Sequence, residues 1–384
     1  MVNGVPMMRA SPGIAAVILA GGFASRMGRC KPLLPISGIS ALETAAARLR
    51  AAGVREIMIV TGHDGEQIAK EASRLEIRAV YNPEYKSGMF SSVVAGVKAL
   101  SPETEAFFLL PADIPLVKPH TYRTLTEARA AARSDVVYPT FQGGRAHPPL
   151  ISYSLAEGIL AWTGEEGLGG FLENSPHSRA EIATGDRSVT LDMDMPDDYE
   201  RLISYAKTEF FPDDEECDEI LRVEGTPDGA VRHARVVAKT ADAVAAALIS
   251  RGVEIGRRLL ASASLLHDIA KGRHDHEAEG ARMLRRRGMH AVADVVVSHK
   301  DLPESGKIGE NEVLYLADKM TVGTAVLTIE ERMSKLELKF SSDEDALMSM
   351  RKRLSRAVAI RNEIEKIVGI PLGKILGGDD VGAR

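Results

Sequence analysis

A short apolar run followed by a glycine-rich, basic loop is the feature that most constrains the fold of this chain. Residues 15–19 are all apolar and predict a buried parallel strand. The loop that follows contains Gly21, Gly22 and Gly28 together with the cations Arg26 and Lys31. Glycine lets backbone N–H groups approach an anion closely, and the two cations supply charge for a triphosphate. The pattern therefore predicts a phosphate-binding loop after a first β-strand.

Apolar runs and helical patterns alternate along the first half of the chain, from residue 15 to about residue 206. The predicted strands are 15–19, 56–61, 77–81, 106–111 and 135–138. Strands interleaved with helices favour an α/β fold, in which helices cover both faces of a mostly parallel sheet. Such sheets bind ligands outside the carboxyl ends of their strands.

The second half of the chain has a different pattern. Strand-like alternation stops after Val231, and helical periodicity follows in the segments 231–251, 255–269, 276–287, 290–299, 311–323 and 343–368. An acidic run that contains a proline, 209–219, separates the halves. The sequence predicts three parts: an α/β domain at 14–206, a linker at 207–225 and an all-α domain at 226–384.

Charge and cysteine content limit the compartment and the partners. The net charge of −6 argues against a dedicated nucleic-acid binder. Two cysteines cannot form a disulfide framework, which predicts a reducing compartment. Residues 1–13 lack the order of a signal peptide, and the apolar run 14–19 is too short to cross a bilayer. We therefore expect a cytoplasmic protein that binds neither nucleic acid nor membranes.

The predicted helix 343–368 has charges of alternating sign along its length. Such a helix either packs over the second domain or forms the interface of a homodimer.

Two aspartates of the first half follow strand-like runs. Asp113 comes just after the fourth predicted strand, and Asp194 follows a run at 188–191. Carboxylates at neighbouring strand ends are suited to hold Mg²⁺ on a triphosphate. Gly88 and the Ser91 hydroxyl mark a predicted helix N-terminus, which either contacts a phosphate or ribose or forms an ordinary N-cap.

Several motifs together resemble one family over residues 14–206. They are the Arg-Met-Gly-x-x-Lys loop, Thr61-Gly-His63, the Gly88-Met-x-Ser-Ser run, the Asp-x-Pro element at Asp113, the His147-Pro pair and the Asp-x-Asp-x-Pro-x-Asp-Tyr tail. This set resembles the molybdenum cofactor cytidylyltransferases and guanylyltransferases. The resemblance implies a Rossmann-like nucleotidyltransferase that joins a nucleoside monophosphate from CTP, or GTP, to molybdopterin cofactor and releases pyrophosphate. A molybdoenzyme or its maturation chaperone would then be a partner.

The same resemblance assigns the roles of individual residues. Arg26, Lys31 and Asp113 are the implied catalytic residues, and Asp113 and Asp194 the implied Mg²⁺ ligands. The implied nucleotide-binding residues are Leu19, Ala20, Gly21, Gly22, Arg26, Gly28, Lys31, Thr61, Gly88, Ser91 and Asp113. The base stays open, because the Ala20-Gly21 form also occurs in guanylyl-transferring relatives.

The helical half contains a second ordered set of polar residues: His233, the adjacent pair His267-Asp268, and Asp318. Histidine nitrogen and carboxylate oxygen are suitable ligands for a divalent transition metal. An unpaired buried aspartate is costly, so a metal ion is a natural partner for a histidine-aspartate pair within a helical core.

This second set resembles the HD-domain phosphohydrolases, whose order is His…His-Asp…Asp. The run Leu-Leu-His267-Asp268-Ile-Ala-Lys271 is close to the family core. The resemblance implies that His233, His267, Asp268 and Asp318 hold a divalent transition metal of open identity. A divalent metal activates water for attack on a phosphoester. Asp268 and Lys271 are the implied catalytic residues, Lys271 stabilising the developing charge.

The sequence leaves two alternative roles open for two further histidines. His276 and His299 correspond to positions that bind a second metal or the substrate phosphate in HD proteins with expanded sites, and the alternative is a solvated helix face. Two other functions are also compatible with the whole sequence. One is a sugar-phosphate nucleotidyltransferase, and the other is a non-catalytic protein that binds and delivers molybdenum cofactor, with the helical half as a nucleotide sensor.

Overall fold

The computed structural model describes residues 13–22, 28–302, 306–339 and 343–377. The chain divides into two compact units, with the boundary between Glu209 and Phe210. The strands of the first unit are β1 Ile14–Ala20, β2 Pro35–Ile36, β3 Ile39–Ser40, β4 Glu56–Thr61, β5 Arg78–Tyr81, β6 Ala106–Pro111, β7 Val136–Phe141, β8 Gly144–Arg145, β9 Leu150–Ser152 and β10 Arg179–Ala183. Its helices are α1 Ala41–Ala51, α2 Gly65–Arg74, α3 Met89–Ala99, α4 Pro119–Ala132, α5 Ala156–Ala161, α6 Gly167–Asn174 and α7 Pro196–Ala206.

An eight-stranded, mostly parallel sheet forms the centre of the first unit, as the sequence predicts. Its strand order is β10-β7-β9-β6-β1-β4-β5, with β8 paired to β7. The central strand β1 runs parallel to both β4 and β6, whereas β9 is antiparallel to β6 and β7. Leu19 is in register with Pro111, so the loop after β1 and the segment after β6 emerge side by side. This register brings the glycine-rich loop next to Asp113.

Alternation along β1 divides the core of this unit into two layers. Ala16 and Ile18 belong to the cluster on one face, and Ala15 and Val17 to the cluster on the other. Successive side chains of a strand point to opposite faces, which is why a continuous apolar run is needed here. Each fully buried valine, leucine or isoleucine side chain stabilises the folded state by about 1.5–3 kcal/mol.

Helix α3 packs against the sheet through a glycine, and the absence of a side chain there is required. A Cβ added at Gly96 would lie 2.5 Å from Val17 Cγ1 and 3.1 Å from Val60 Cγ2. We expect Gly96→Val to lower the free energy of unfolding by about 2–3 kcal/mol, because overpacking forces the helix off the sheet. Trp162 is the only tryptophan of the chain and lies in this unit, so its fluorescence during urea unfolding reports this change.

Gly169→Val is the matched control for this substitution. Gly169 lies in helix α6, and a Cβ added there meets nothing within 4 Å. The free energy of unfolding should change by no more than about 0.5 kcal/mol in this variant. Equal losses in the two variants would contradict the packing explanation.

The second unit is helical apart from one short hairpin. Its helices are α8 Asp214–Val223, α9 Asp228–Ile249, α10 Arg257–Leu266, α11 His276–Arg286, α12 His290–Val296, α13 Glu310–Met320, α14 Ile329–Lys339, α15 Glu344–Val368 and α16 Leu372–Ile375. The hairpin pairs β11 Thr321–Val322 with β12 Ala325–Val326. The predicted helix 311–323 therefore ends at Met320. No described helix of either unit has the length and apolarity needed to cross a membrane.

Two other local predictions are wrong. The predicted strand at 188–191 is part of a 3-10 helix, Arg187–Thr190, because the Asp186 side chain caps it by accepting a hydrogen bond from the Ser188 N–H. The predicted linker 207–225 contains helix α8, whose Cys217 and Ile220 are fully buried in the core of the second unit. Asp214, Glu215 and Glu216 of the run lie in the first turn of that helix, where they complement the helix dipole.

Candidate active sites

A cavity of ≈ 370 Å³ opens at the carboxyl ends of β1 and β6. The predicted residues that line it are Leu19, Ala20, Gly21, Gly22, Lys31, Gly88, Asp113 and Asp194. These residues come from four separate stretches of the chain, and the parallel register of the sheet brings them to one edge. The cavity is therefore the candidate site of the first unit.

Lys31 bridges the two predicted metal-binding aspartates. Its Nζ lies 3.2 Å from Asp113 Oδ2 and 2.7 Å from Asp194 Oδ1. Burial lowers the pKa of this ammonium, but the two carboxylates outweigh that effect, so the pKa of Lys31 is raised above its usual value. Two carboxylates that converge on one cation can also hold a divalent ion between them. Asp113 and Asp194 lie 82 and 163 positions after Lys31 in the sequence, and in the structure they form one cation-binding cluster with it.

A third carboxylate adds to the negative charge of this cluster. Burial and the neighbouring charges of Asp194 and Asp113 raise the pKa of Asp192 above its usual value. Like charges that face one another favour binding of a cation, which relieves their repulsion. The residues present therefore fit a hard divalent cation such as Mg²⁺.

Gly21 lies where any side chain would collide with helix α3. A Cβ added at Gly21 would lie 2.6 Å from Ser92 Oγ. Ser92 Oγ accepts a hydrogen bond of 3.0 Å from Asn82 Nδ2 and so is held in place. Glycine at this position lets the loop backbone lie directly over the first turn of the helix.

Some predicted nucleotide-binding residues lie elsewhere. Thr61 is buried and lines a separate cleft. Ser91 does not line the cavity, and its hydroxyl donates to the backbone carbonyls of Glu84 and Gly88. Gly28 has a φ of +61° but does not line the cavity. Arg26 lies outside the described residues.

Seven residues that line this cavity were not predicted, and three of them are polar: Tyr85, Lys86 and Ser92. Ser92 belongs to the Gly88-Met-x-Ser-Ser run, and Lys86 lies two residues before Gly88. Which of the two adjacent serines faces the cavity depends on the rotation of α3 relative to the sheet.

A buried aspartate anchors the segment that carries Asp194. Asp186 is 2% exposed, and its Oδ2 accepts hydrogen bonds from the Lys118 N–H at 3.0 Å and the Thr121 hydroxyl at 2.6 Å. Its Oδ1 accepts from the Ser188 hydroxyl and lies 3.8 Å from Lys118 Nζ. Burial raises the pKa of this carboxyl, but Lys118 and the hydrogen bonds outweigh burial, so the pKa lies below its usual value.

These contacts predict an acid-sensitive contribution to stability. Because the folded pKa of Asp186 is depressed, its contribution is present above the usual carboxyl pKa of 3.8 and is lost as pH falls below it. At pH 7 we expect Asp186→Asn to lower the free energy of unfolding by about 1–3 kcal/mol, because the carboxylate that accepts from the Lys118 N–H, Thr121 and Ser188 becomes an amide with a single acceptor oxygen. Urea unfolding followed by Trp162 fluorescence measures both effects. A variant with wild-type stability at pH 7 would contradict this prediction.

The second unit brings its four predicted metal ligands together. His233 comes from α9, His267 and Asp268 follow the end of α10, and Asp318 comes from α13. His233 Nε2 lies 3.1 Å from Asp318 Oδ1, and His267 Nε2 lies 3.8 Å from the same oxygen. One ligand atom each from His233, His267 and Asp268 lies within 4.8 Å of the others. This spacing suits a single metal ion.

Backbone carbonyls orient the histidines of this cluster. Nδ1 of His233 contacts the Gly323 carbonyl at 3.1 Å, and Nδ1 of His267 contacts the Ser264 carbonyl at 2.8 Å. Each contact directs Nε2 toward the carboxylates, as outer hydrogen bonds do in metal sites. Nε2 of His267 is buried and has no hydrogen-bond partner among the described residues. A buried nitrogen without a partner is costly unless a metal ion binds it.

His276 and His299 lie beside the same aspartate. Asp268 Oδ1 is 3.4 Å from His276 Nε2 and 3.8 Å from His299 Nε2. These three residues form a second group with metal-binding spacing, so Asp268 belongs to both groups. His299 is 4% exposed, which argues against the alternative of a solvated helix face for this residue.

The protonation states of His267, His299 and Asp318 suit metal binding, whereas Asp318 outweighs burial at His233 and raises the pKa of that imidazole. Burial lowers the pKa of His267, and it lowers the pKa of His299 to about 4, so both imidazoles are neutral at pH 7. Burial raises the pKa of Asp318, but Lys319 and His233 outweigh burial and hold it well below its usual value. Neutral imidazoles and ionised carboxylates are the forms that bind a metal.

Four charged residues near these ligands were not predicted: Glu277, Lys300, Lys319 and Arg332. The predicted Lys271 does lie in the site, where its Nζ is 3.1 Å from Asp268 Oδ2. Lys319 Nζ lies 2.7 Å from Asp318 Oδ2. Glu277, Lys300 and Lys319 each directly follow a residue that the sequence analysis singled out, which was the local indication in the sequence.

Comparisons with known proteins find a separate family match in each of the two units. Residues 16–181 match the MobA-like NTP transferase domain, and residues 231–323 match the HD domain. Molybdenum cofactor cytidylyltransferase of Escherichia coli K12 is 29% identical over 187 residues, which cover 48% of this chain and 93% of that protein. Nicotine blue oxidoreductase of Paenarthrobacter nicotinovorans is 29% identical over 198 residues, 50% of this chain and 97% of that protein.

A further relative matches a shorter part of the chain. The bifunctional IPC transferase and DIPP synthase of Rubrobacter xylanophilus is 42% identical over 94 residues, which cover 23% of this chain and 22% of that protein. The domain matches support an enzyme with a nucleotidyltransferase domain, and an HD domain implies binding of a divalent metal. This chain thus contains a MobA-like NTP transferase domain at residues 16–181 and an HD domain at residues 231–323.

Proposed function

We propose that residues 14–206 transfer a nucleoside monophosphate from CTP, or GTP, to molybdopterin cofactor. The observation that carries this proposal is the convergence of Lys31, Asp113 and Asp194 on one cavity at the carboxyl ends of β1 and β6. The likeness to a molybdenum cofactor cytidylyltransferase over nearly all of that protein's length supports the choice of acceptor.

The roles of the residues follow from their charges. Asp113 and Asp194 would hold Mg²⁺, which neutralises charge on the triphosphate. Lys31 would then exchange part of its carboxylate contacts for phosphate oxygens, and Arg26 would add a second cation. An oxygen of the acceptor phosphate attacks the α-phosphorus in line, the α–β bridging bond breaks, and pyrophosphate leaves.

The test is the reaction of the purified chain with molybdopterin cofactor, Mg²⁺ and either CTP or GTP. We expect pyrophosphate release that requires both the cofactor and the nucleotide, together with a dinucleotide form of the cofactor. Absence of an adduct with both nucleotides would refute the proposal. Stoichiometric binding of nucleotide and pterin without pyrophosphate release would instead favour a delivery protein.

A second acceptor is favoured by one observation. The 42% identity to a bifunctional IPC transferase is higher than that to the cytidylyltransferase, although it covers only 94 residues. Sugar phosphates in place of molybdopterin cofactor in the same assay test this alternative. Pyrophosphate release with a sugar phosphate alone would replace the first proposal.

We further propose that residues 226–384 hydrolyse a phosphoester with a bound divalent metal. The buried, unpartnered Nε2 of His267 is the observation that carries this second activity. His233, His267, Asp268 and Asp318 would hold the ion, which activates water and polarises the phosphoryl group. Lys271 lies at the exposed side of Asp268, where its ammonium can stabilise charge that develops on the phosphate.

Metal analysis of the purified chain and hydrolysis of a panel of nucleotide phosphoesters test this activity. Chelation should remove the ion and the hydrolysis together, and returning Mn²⁺ should restore both. Hydrolysis that survives complete removal of the metal would refute the proposal.

A further inference from the structure

The metal cleft of the second unit has a positively charged lining. It has a volume of ≈ 480 Å³ and is lined, among the described residues, by four cationic side chains and three carboxylates. The cations are Lys271, Lys300, Lys319 and Arg332, and the carboxylates are Asp268, Glu277 and Asp318. These seven side chains together carry one net positive charge, and one bound divalent ion raises this charge to three.

Arg332 differs from the three lysines of the cleft. Each lysine lies close to a carboxylate oxygen: Lys271 to Asp268 at 3.1 Å, Lys300 to Glu277 at 3.0 Å and Lys319 to Asp318 at 2.7 Å. Arg332 instead donates from Nη1 to two backbone carbonyls, those of Asp318 at 2.7 Å and Thr321 at 3.1 Å. These neutral acceptors hold the guanidinium in position and leave its other N–H groups available to an anion.

The positive lining continues beyond the metal ligands. A second cavity of ≈ 280 Å³ shares Lys300, Lys319 and Arg332 with the metal cleft and adds Arg353 and Ser349. The shared cations form a wall between the two spaces. A ligand bound at the metal ligands thus lies in the same cleft as Lys300, Lys319 and Arg332.

We propose that this site binds an anion with at least two linked phosphate groups, one at the metal ligands and the next at Arg332 and Lys300. The inference rests on the proposed hydrolase and names its substrate class. A phosphodiester carries one negative charge and would leave two positive charges of the metal-loaded lining without a counter-charge. Linked phosphates carry enough charge to balance them, and the guanidinium fork suits phosphate oxygens.

Calorimetric titration of the Mn²⁺-loaded chain with inorganic phosphate, pyrophosphate and tripolyphosphate tests this inference. The chain should carry Lys31→Met together with Asp194→Asn, which remove the ammonium and one of the two metal-binding carboxylates from the cavity of the first unit and so limit binding there. We expect affinity to rise about tenfold with each added phosphate, the gain typical of a charge-assisted contact. Cytidine di- and triphosphate in the same series distinguish a nucleotide from an inorganic polyphosphate as the ligand.

Arg332→Gln should lower the affinity for tripolyphosphate about tenfold and leave that for phosphate within about twofold. Arg351→Gln is the matched control, since Arg351 is an exposed arginine of the same unit that pairs with Glu337. If metal analysis shows that Arg332→Gln loses Mn²⁺, Lys300→Gln takes its place with the same selective loss expected.

Two results would overturn the inference: equal affinities for phosphate and tripolyphosphate, or an equal loss for both ligands in Arg332→Gln and Lys300→Gln. Selective binding without hydrolysis of any phosphoester would refute the proposed hydrolase alone. Hydrolysis without preference for linked phosphates would refute this inference alone.

Discussion

Asp268→Asn is expected to abolish hydrolysis by the second unit and to release its metal. Asp268 lies within reach of His267, His276 and His299, and its replacement removes a charged ligand from both groups with metal-binding spacing. Loss of an outer hydrogen bond in a metal site costs about 10–100-fold in metal affinity, so loss of a shared ligand should cost more than about a hundredfold. Metal content and phosphoester hydrolysis, measured on the same preparation, report the two effects.

Asp294→Asn provides the control for this variant. Asp294 is an exposed aspartate of the same unit that pairs with Arg285 on the surface. Such a substitution typically changes the free energy of unfolding by less than about 0.5 kcal/mol. Its metal content and hydrolysis should equal those of the unaltered chain. If Asp268→Asn retained both, the assignment of the metal centre would be wrong.

Lys31→Met is expected to lower nucleotidyl transfer by about 10²–10³-fold, the usual cost of removing one group that stabilises transition-state charge. The raised pKa of Lys31 keeps its ammonium charged at neutral pH, so its expected role is electrostatic and not that of a base. Loss of the ammonium leaves Asp113 and Asp194 without their shared cation, so Mg²⁺ should bind at least as tightly. The rate of pyrophosphate release as a function of Mg²⁺ concentration separates these effects.

Asp194→Asn tests the role of the carboxylates that surround the Lys31 ammonium. This variant should require more Mg²⁺ for half-maximal transfer, whereas Lys31→Met should lower the maximal rate. Lys98→Met is the control, since Lys98 is an exposed lysine of helix α3 that does not line the cavity. The same Mg²⁺ dependence in Lys31→Met and Asp194→Asn would contradict separate roles for the ammonium and the carboxylate.

Local patterns predicted most of the elements that matter for function. Strands β4 and β6 begin and end where the apolar runs do, because each run lies between strong turn residues. The strand predicted at 188–191 is wrong for a non-local reason: Asp186, which caps the observed 3-10 helix, also binds Lys118 and Thr121, which lie more than 60 residues away. No local pattern contains that information.

The residues that line the cavities also depend on contacts that local sequence patterns do not contain. Ser91 and Ser92 are adjacent, and only the packing of α3 on the sheet decides that Ser92 faces the cavity while Ser91 bonds to the backbone. Arg332 lies on a helix that the sequence did not predict, and its role depends on contacts with the carbonyls of Asp318 and Thr321. Such positions carry no recognisable motif.

The sequence by itself determined the two domain types, most of the elements that lead to the sites, and the choice of Lys31, Asp113, Asp194 and the four metal-binding candidates of the second unit. It did so because strand alternation, helical periodicity and motif spacing are properties of neighbouring residues. Only the tertiary structure decided which of these side chains lie close together. It also decided which cationic side chains lie beside them and which carboxylates pair with those cations. Charges separated by more than a hundred residues interact only after the core has packed and the sheet register has brought them within a few ångströms.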